Sequence, residues 1–112
     1  MKHLVIKDLP FKQLLPGIAL RSAYLDNVMV SFVNLAEGTL IPAHSHPHEQ
    51  ISLIIAGQLI FSVEGEEKLV SAGEVVLVPS NVKHGVKVVE GPAVCYDCFS
   101  PIRKDYILDQ NQ

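Results

Sequence analysis

Short apolar or alternating runs, broken by turn residues, recur along this 112-residue chain, and almost nothing in it follows a helical period. Side chains two apart in an extended segment share a face, so alternation with glycine-marked breaks is the signature of β-structure. The pattern predicts strands over 20–25, 28–36, 50–56, 58–63, 66–70, 74–78, 84–89 and 93–99. Turns are expected where the breakers fall, among them Glu37-Gly38, Ala56-Gly57, Glu64-Gly65, Pro79-Ser80-Asn81 and Glu90-Gly91-Pro92. Eight or so short strands of this kind fit an all-β jelly roll or small barrel better than an open sheet.

The length fits one domain, with an N-terminal arm over 1–17, a barrel over 18–100 and a tail over 101–112. Pro10 and Pro16 interrupt the arm, which is expected either to add an edge strand or to wrap a neighbouring subunit. The tail has room for a short turn of helix.

Composition narrows the partners. With 48% apolar and 19% charged residues the chain can build a core, which excludes intrinsic disorder. A net charge of -3 with scattered Lys and Arg gives no track for a phosphate backbone, so no nucleic-acid partner is expected. No apolar run approaches a membrane span and the N-terminus does not read as a signal peptide, which points to a cytoplasmic protein. Cys95 and Cys98 form C-x-x-C inside a strand-like run. Residues three apart on a strand face opposite sides, so two free thiols are expected, in keeping with a reducing compartment.

The candidate chemistry lies in His44-Ser45-His46-Pro47-His48-Glu49-Gln50, with His84 further on. H-x-H in an extended segment sets two imidazoles on one face. With Gln50 and His84 they make a neutral set of three nitrogens and one amide oxygen. Such a set suits one divalent ion, with Ni, Zn, Mn, Fe and Co all open, and leaves positions for water or substrate. The competing reading is a surface loop of polar histidines. His48 is expected at the rim because Pro47 disturbs the alternation, and Glu49 is expected to point away or to orient a histidine. His3 has no evident partner.

Asp97 and Phe99 share a strand face opposite Tyr96 and Cys98. An acid within an apolar strand is costly unless it is paired, hydrated or facing a cavity. Arg103, past a proline turn, can fold back to pair with Asp97 or take a carboxylate as a fork.

These residues fall into a known spacing. Gly38, five residues, His44-Ser45-His46, three residues, Gln50, six residues and Gly57 resemble the first cupin motif. Gly73, five residues, Pro79, Asn81, His84 and Val88 resemble the second. Gln50 replaces the usual Glu, Asn81 the usual Gly and Val88 the usual Asn. Within that superfamily Asp97-Cys98-Phe99-Ser100-Pro101-Ile102-Arg103-Lys104-Asp105 resembles the C-terminal segment of the small KdgF-type cupins of pectin degradation.

The resemblance implies a cupin double-stranded β-helix in which His44, His46, Gln50 and His84 hold the metal. It also implies that Asp97, Phe99 and Arg103 line a site for 4,5-unsaturated uronate monosaccharides, which that family converts to a linear ketone, and it suggests a homodimer. Asp97 is then the expected acid/base, Arg103 the holder of the sugar carboxylate and Phe99 the packing face for the ring. Two rivals stand beside this expectation: another metal activity, such as a dioxygenase or sugar isomerase, and a non-catalytic small-molecule binding module.

Overall fold

The computed structural model describes residues 1–108; the last four positions of the expected tail lie outside the described residues. Eight antiparallel strands form the fold: β1 (Lys12–Leu15), β2 (Ile18–Tyr24), β3 (Met29–Leu35), β4 (Leu40–His44), β5 (Glu49–Val63), β6 (Glu66–Ser71), β7 (Val75–Val78) and β8 (His84–Ser100). Single 3-10 turns sit in the arm (Ile6–Asp8) and in the tail (Lys104–Tyr106). The tail turn meets the expectation of a short helical turn.

Strand order runs β1-β2-β3-β8-β5-β6, with β4 added to β8 and β7 to β5. Two long strands organise everything. The first half of β5 pairs with the second half of β8, Gln50 opposite Phe99 and Ser52 opposite Asp97. Its second half pairs with the first half of β8, Val63 opposite His84. β3 flanks one half of β8, with Ser31 opposite Asp97, and β4 flanks the other. The result is the expected jelly-roll barrel. Its core includes Leu20, Val33, Ile54, Leu59, Phe61 and Val88.

Two expected turns are bends within strands instead. Ala56-Gly57 and Glu90-Gly91-Pro92 are where β5 and β8 shift register and pass from one layer of the barrel to the other. Gly57 has φ +83, and a Cβ there would come within 2.8 Å of Ala93 Cα and Glu90 O. A glycine inside a strand that marks a bulge reads as a turn in sequence, because both need the same backbone freedom.

β4 escaped the alternation pattern because it contains Pro42 and buries little. Proline is tolerated there because the ladder with β8 is irregular between Ile41 and His44. The arm resolves to an edge strand on its own sheet, β1 against β2. It is tied down by Arg21, whose Nε donates to Leu9 O at 3.1 Å and whose guanidinium lies 5.4 Å from the Phe11 ring centroid. Among the described residues no helix is long and apolar enough to cross a membrane.

Candidate metal centre

His44 ends β4, His84 begins β8 directly opposite it, and His46 follows in the loop that leads to β5. The H-x-H pair therefore straddles the end of a strand, yet the rings still converge. Ring centroids lie 4.4 Å apart for His44 and His84, 4.8 Å for His46 and His84, and 5.8 Å for His44 and His46. One nitrogen from each lies within 4.8 Å of the others.

The backbone fixes which nitrogen that is. His44 Nδ1 is 2.9 Å from Pro42 O, His84 Nδ1 is 2.9 Å from Val82 O, and His46 Nδ1 is 3.1 Å from His48 O. A carbonyl only accepts, so each Nδ1 carries the proton and each Nε2 is left with a bare lone pair. His84 is buried, and its Nε2 has no partner among the described residues.

Gln50, also buried, brings its Oε1 to 3.0 Å from His46 Nε2. A lone pair facing an amide oxygen is unfavourable with nothing between them, and a cation resolves it. Burial, followed by the Arg103 charge, depresses the His46 pKa; burial is also the main cause of depression at His84. Both imidazoles are thus held in the neutral form that a metal requires. The donor set fits a divalent ion: His44, His46 and His84 with Gln50 beside them.

The other histidines stay apart from this group. His48 is half-buried, its ring 5.3 Å from His46 and 6.5 Å from Phe99 and its Nδ1 without a partner among the described residues. Glu49 is exposed, as its parity predicts, and His3 is exposed on the arm.

Inward from the imidazoles lies a cavity of about 400 Å³. Its polar side is formed by His44, His84, Gln50, Asp97 and Arg103, and its remaining wall is largely aliphatic, including Leu20, Val33, Ile41 and Val86. Asp97 and Phe99 do share the inner face of β8. Burial raises the Asp97 pKa from 3.8 to about 6, against the opposing pull of a Ser52 hydrogen bond and the Arg103 charge.

Of the two roles open to Arg103, pairing with Asp97 is not seen among the described residues. Arg103 pairs with Asp105, Nη2 to Oδ2 at 3.0 Å, and its guanidinium lies 3.9 Å from the Tyr106 centroid and 5.2 Å from that of Phe99. The proline turn carries Arg103 into the aromatic tail, where the nearer Asp105 takes one edge of the fork. Its Nε is buried with no partner among the described residues.

Sequence reasoning missed Tyr106, which lines the cavity and clamps Arg103. Its three-residue spacing from Arg103 within a helical turn was the available signal. Cys95 faces the cavity and Cys98 the outside, and both are free thiols. Burial, assisted by Asp97, raises the Cys95 pKa to about 12, so this thiol is no nucleophile at neutral pH.

Comparison with known proteins agrees with this geometry. Residues 31–99 match the Cupin domain family. The chain is 30% identical over 108 residues to pectin degradation protein KdgF of Dickeya dadantii (strain 3937), covering 95% of this chain and 98% of that protein. The structure of KdgF from Halomonas sp. superimposes with a TM-score of 0.91 at 26% identity, covering 96% and 99% of the two chains. An RmlC-like cupin from Shewanella frigidimarina NCIMB 400 gives 0.88 at 25% identity, covering 96% and 97%. With its two histidine motifs joined at one end of a jelly-roll barrel, the chain belongs to the cupin family.

Proposed function

We propose that this protein opens and ketonises 4,5-unsaturated uronate monosaccharides, using one divalent ion held by His44, His46, Gln50 and His84. The observation that carries the reading is a meeting of groups at one cavity: His44 and His84 on its wall with His46 converging on them from beside it, a carboxyl raised to about 6 and a guanidinium held by two rings. The KdgF relatives, one of them named a pectin degradation protein, support a substrate derived from pectin, and the unsaturated uronate is what the motif resemblance implies.

When bound, the ion offers Lewis-acid attraction to the oxygens of the sugar. The remaining work falls to side chains. The substrate is a cyclic enol ether that closes on a hemiacetal carbon. Asp97, as a carboxylate, takes the proton of the C1 hydroxyl. The bond from C1 to the ring oxygen breaks, leaving an aldehyde at C1 and an enolate at C5. Asp97 then returns the proton to C4, and C5 becomes a ketone. One proton leaves oxygen and one reaches carbon, so the reaction is an isomerisation that needs no co-reactant. A carboxyl with a pKa of about 6 is mostly ionised at neutral pH and still holds a proton well enough to deliver it.

Arg103 receives the sugar carboxylate through its free Nε edge, and Phe99 packs against the ring. Arg103→Ala is expected to raise KM by roughly 10- to 100-fold, the size of a lost charged hydrogen bond, with a smaller change in kcat. Steady-state kinetics on an unsaturated uronate check this; an unchanged KM would remove Arg103 from the site.

The same reading has the protein acting as a cytoplasmic homodimer, and the outer sheet face supports the pairing. Ile51, Leu53 and Ile55 of β5 alternate outward beside Val75 and Leu77 of β7, each at least 40% exposed. These two rows carry no charge, so two chains of net charge -3 can meet there without repulsion. The arm, which forms the edge strand β1 on its own sheet, is the other surface on which a copy could pair. Sedimentation at micromolar concentration should give twice the mass of one chain, and Leu77→Asp should return it to one. A wild type that sediments as a single chain contradicts the pairing.

A further inference from the structure

A buried chain of polar groups leads from the imidazoles to Asp97. His46 Nε2 faces Gln50 Oε1 at 3.0 Å, and Gln50 Nε2 donates to Ser52 Oγ at 2.9 Å. Ser52 is fully buried and stands directly opposite Asp97 in the β5–β8 ladder, on the same face, where its hydroxyl opposes the upward shift that burial gives the Asp97 carboxyl. Ser52 does not line the cavity, and its hydroxyl is engaged by Gln50, so it acts through its neighbours.

We infer that Ser52 is a positioning residue, whose single hydroxyl turns the Gln50 amide oxygen toward the imidazoles and steadies the ionised form of Asp97. A glutamine amide has one oxygen end and one nitrogen end, and a flip exchanges them. With the nitrogen end donating to Ser52, the oxygen end faces His46 Nε2. A hydroxyl has one hydrogen, and because Ser52 accepts from Gln50 on its oxygen, that hydrogen is free to go to Asp97.

The opposite amide orientation would reverse both effects. Gln50 nitrogen would then donate to His46 Nε2 and take up that lone pair, and the Ser52 hydrogen would turn to Gln50 oxygen and leave Asp97. One hydroxyl thus ties metal readiness to the state of the carboxyl. Outer groups of this kind commonly change metal affinity by 10- to 100-fold when removed. On the far side of Asp97 the Ser31 hydroxyl, on the strand opposite, is buried with no partner among the described residues, which leaves Ser52 as the hydroxyl that joins Asp97 to Gln50.

The inference rests on the metal and acid roles proposed above, but its test needs no turnover. Zinc affinity of the full chain is measured by competition with a chelating dye, and the Asp97 carboxyl is followed by carbon-13 NMR in metal-free protein. Ser52→Ala is expected to weaken zinc about 10-fold or more and to move the Asp97 titration upward. Ser52→Thr, which keeps the hydroxyl, should restore both. Zinc affinity and Asp97 titration both unchanged in Ser52→Ala would overturn the inference, and so would an equal loss in Ala and Thr, which would mark a packing effect. Because neither readout involves the sugar, a failure of the ketonisation reading would register separately.

Discussion

Exchanging Asp97 for asparagine is expected to slow ketonisation by at least about 100-fold and, at the same time, to make the metal-free protein more stable at neutral pH. The loss of rate follows from removing the one carboxylate that, among the described residues, reaches the cavity wall, since positioned acid–base groups contribute about 10²–10⁴-fold. The gain in stability follows from the same burial that tunes it. Between pH 3.8 and about 6 the folded chain holds a proton on Asp97 that the unfolded chain has released. Stability therefore falls as pH rises through that window and stays lower above it. Asparagine carries no charge, so at neutral pH the variant recovers up to about 3 kcal/mol, at 1.36 kcal/mol per pKa unit. Near pH 4 it should gain almost nothing. Thermal melts of metal-free wild type and variant at the two pH values check this. A variant that is less stable at neutral pH would mean that Asp97 is a structural anchor and not a tuned acid.

Replacing His84 with alanine is expected to abolish stoichiometric metal binding. The loss should exceed the 10- to 100-fold that removal of an outer group costs, because His84 Nε2 is the one imidazole nitrogen of the three that is buried with nothing to bond to. Wild type should gain thermal stability with added zinc according to its affinity, and the variant should not. His48→Ala is the matched control, since His48 sits beside His46 and outside the converging group. It should keep its ion. Equal metal content in wild type and His84→Ala would remove the site.

What could be read from the chain follows from how local each feature is. His44, His46 and Gln50 are separated by two and four residues, so local backbone nearly sets their relation. His84 needs a partner strand, and its place came from motif spacing and not from periodicity. The alternation in 93–99 correctly put Asp97 and Phe99 on one inner face and separated the two thiols. The long strands were less legible. Gly57 and the Gly91-Pro92 step look like turns, and only the cross-strand register shows that pairing continues past them. Arg103 had two acids within reach, and the choice of Asp105 depends on how the tail turn packs against Phe99 and Tyr106. Ser52 opposite Asp97 is a pairing between residues 45 apart in sequence, which no local pattern encodes.

Stability and chemistry compete at this site. The barrel buries an acid beside aliphatic walls and leaves several polar atoms without partners, among them His84 Nε2 and Arg103 Nε. Such groups are costly in a core that serves only to fold, and they become useful when a ligand completes them. His84 and Arg103 line the walls where an ion and a sugar carboxylate are proposed to bind.

The most direct test follows the absorbance of the C4–C5 double bond in monosaccharides released by a uronate lyase. Metal-loaded wild type should speed its disappearance well beyond the spontaneous rate, and both chelation and Asp97→Asn should return the trace toward that rate. A loaded wild type whose trace coincides with the spontaneous one would contradict the proposed reaction, whatever metal the histidines hold.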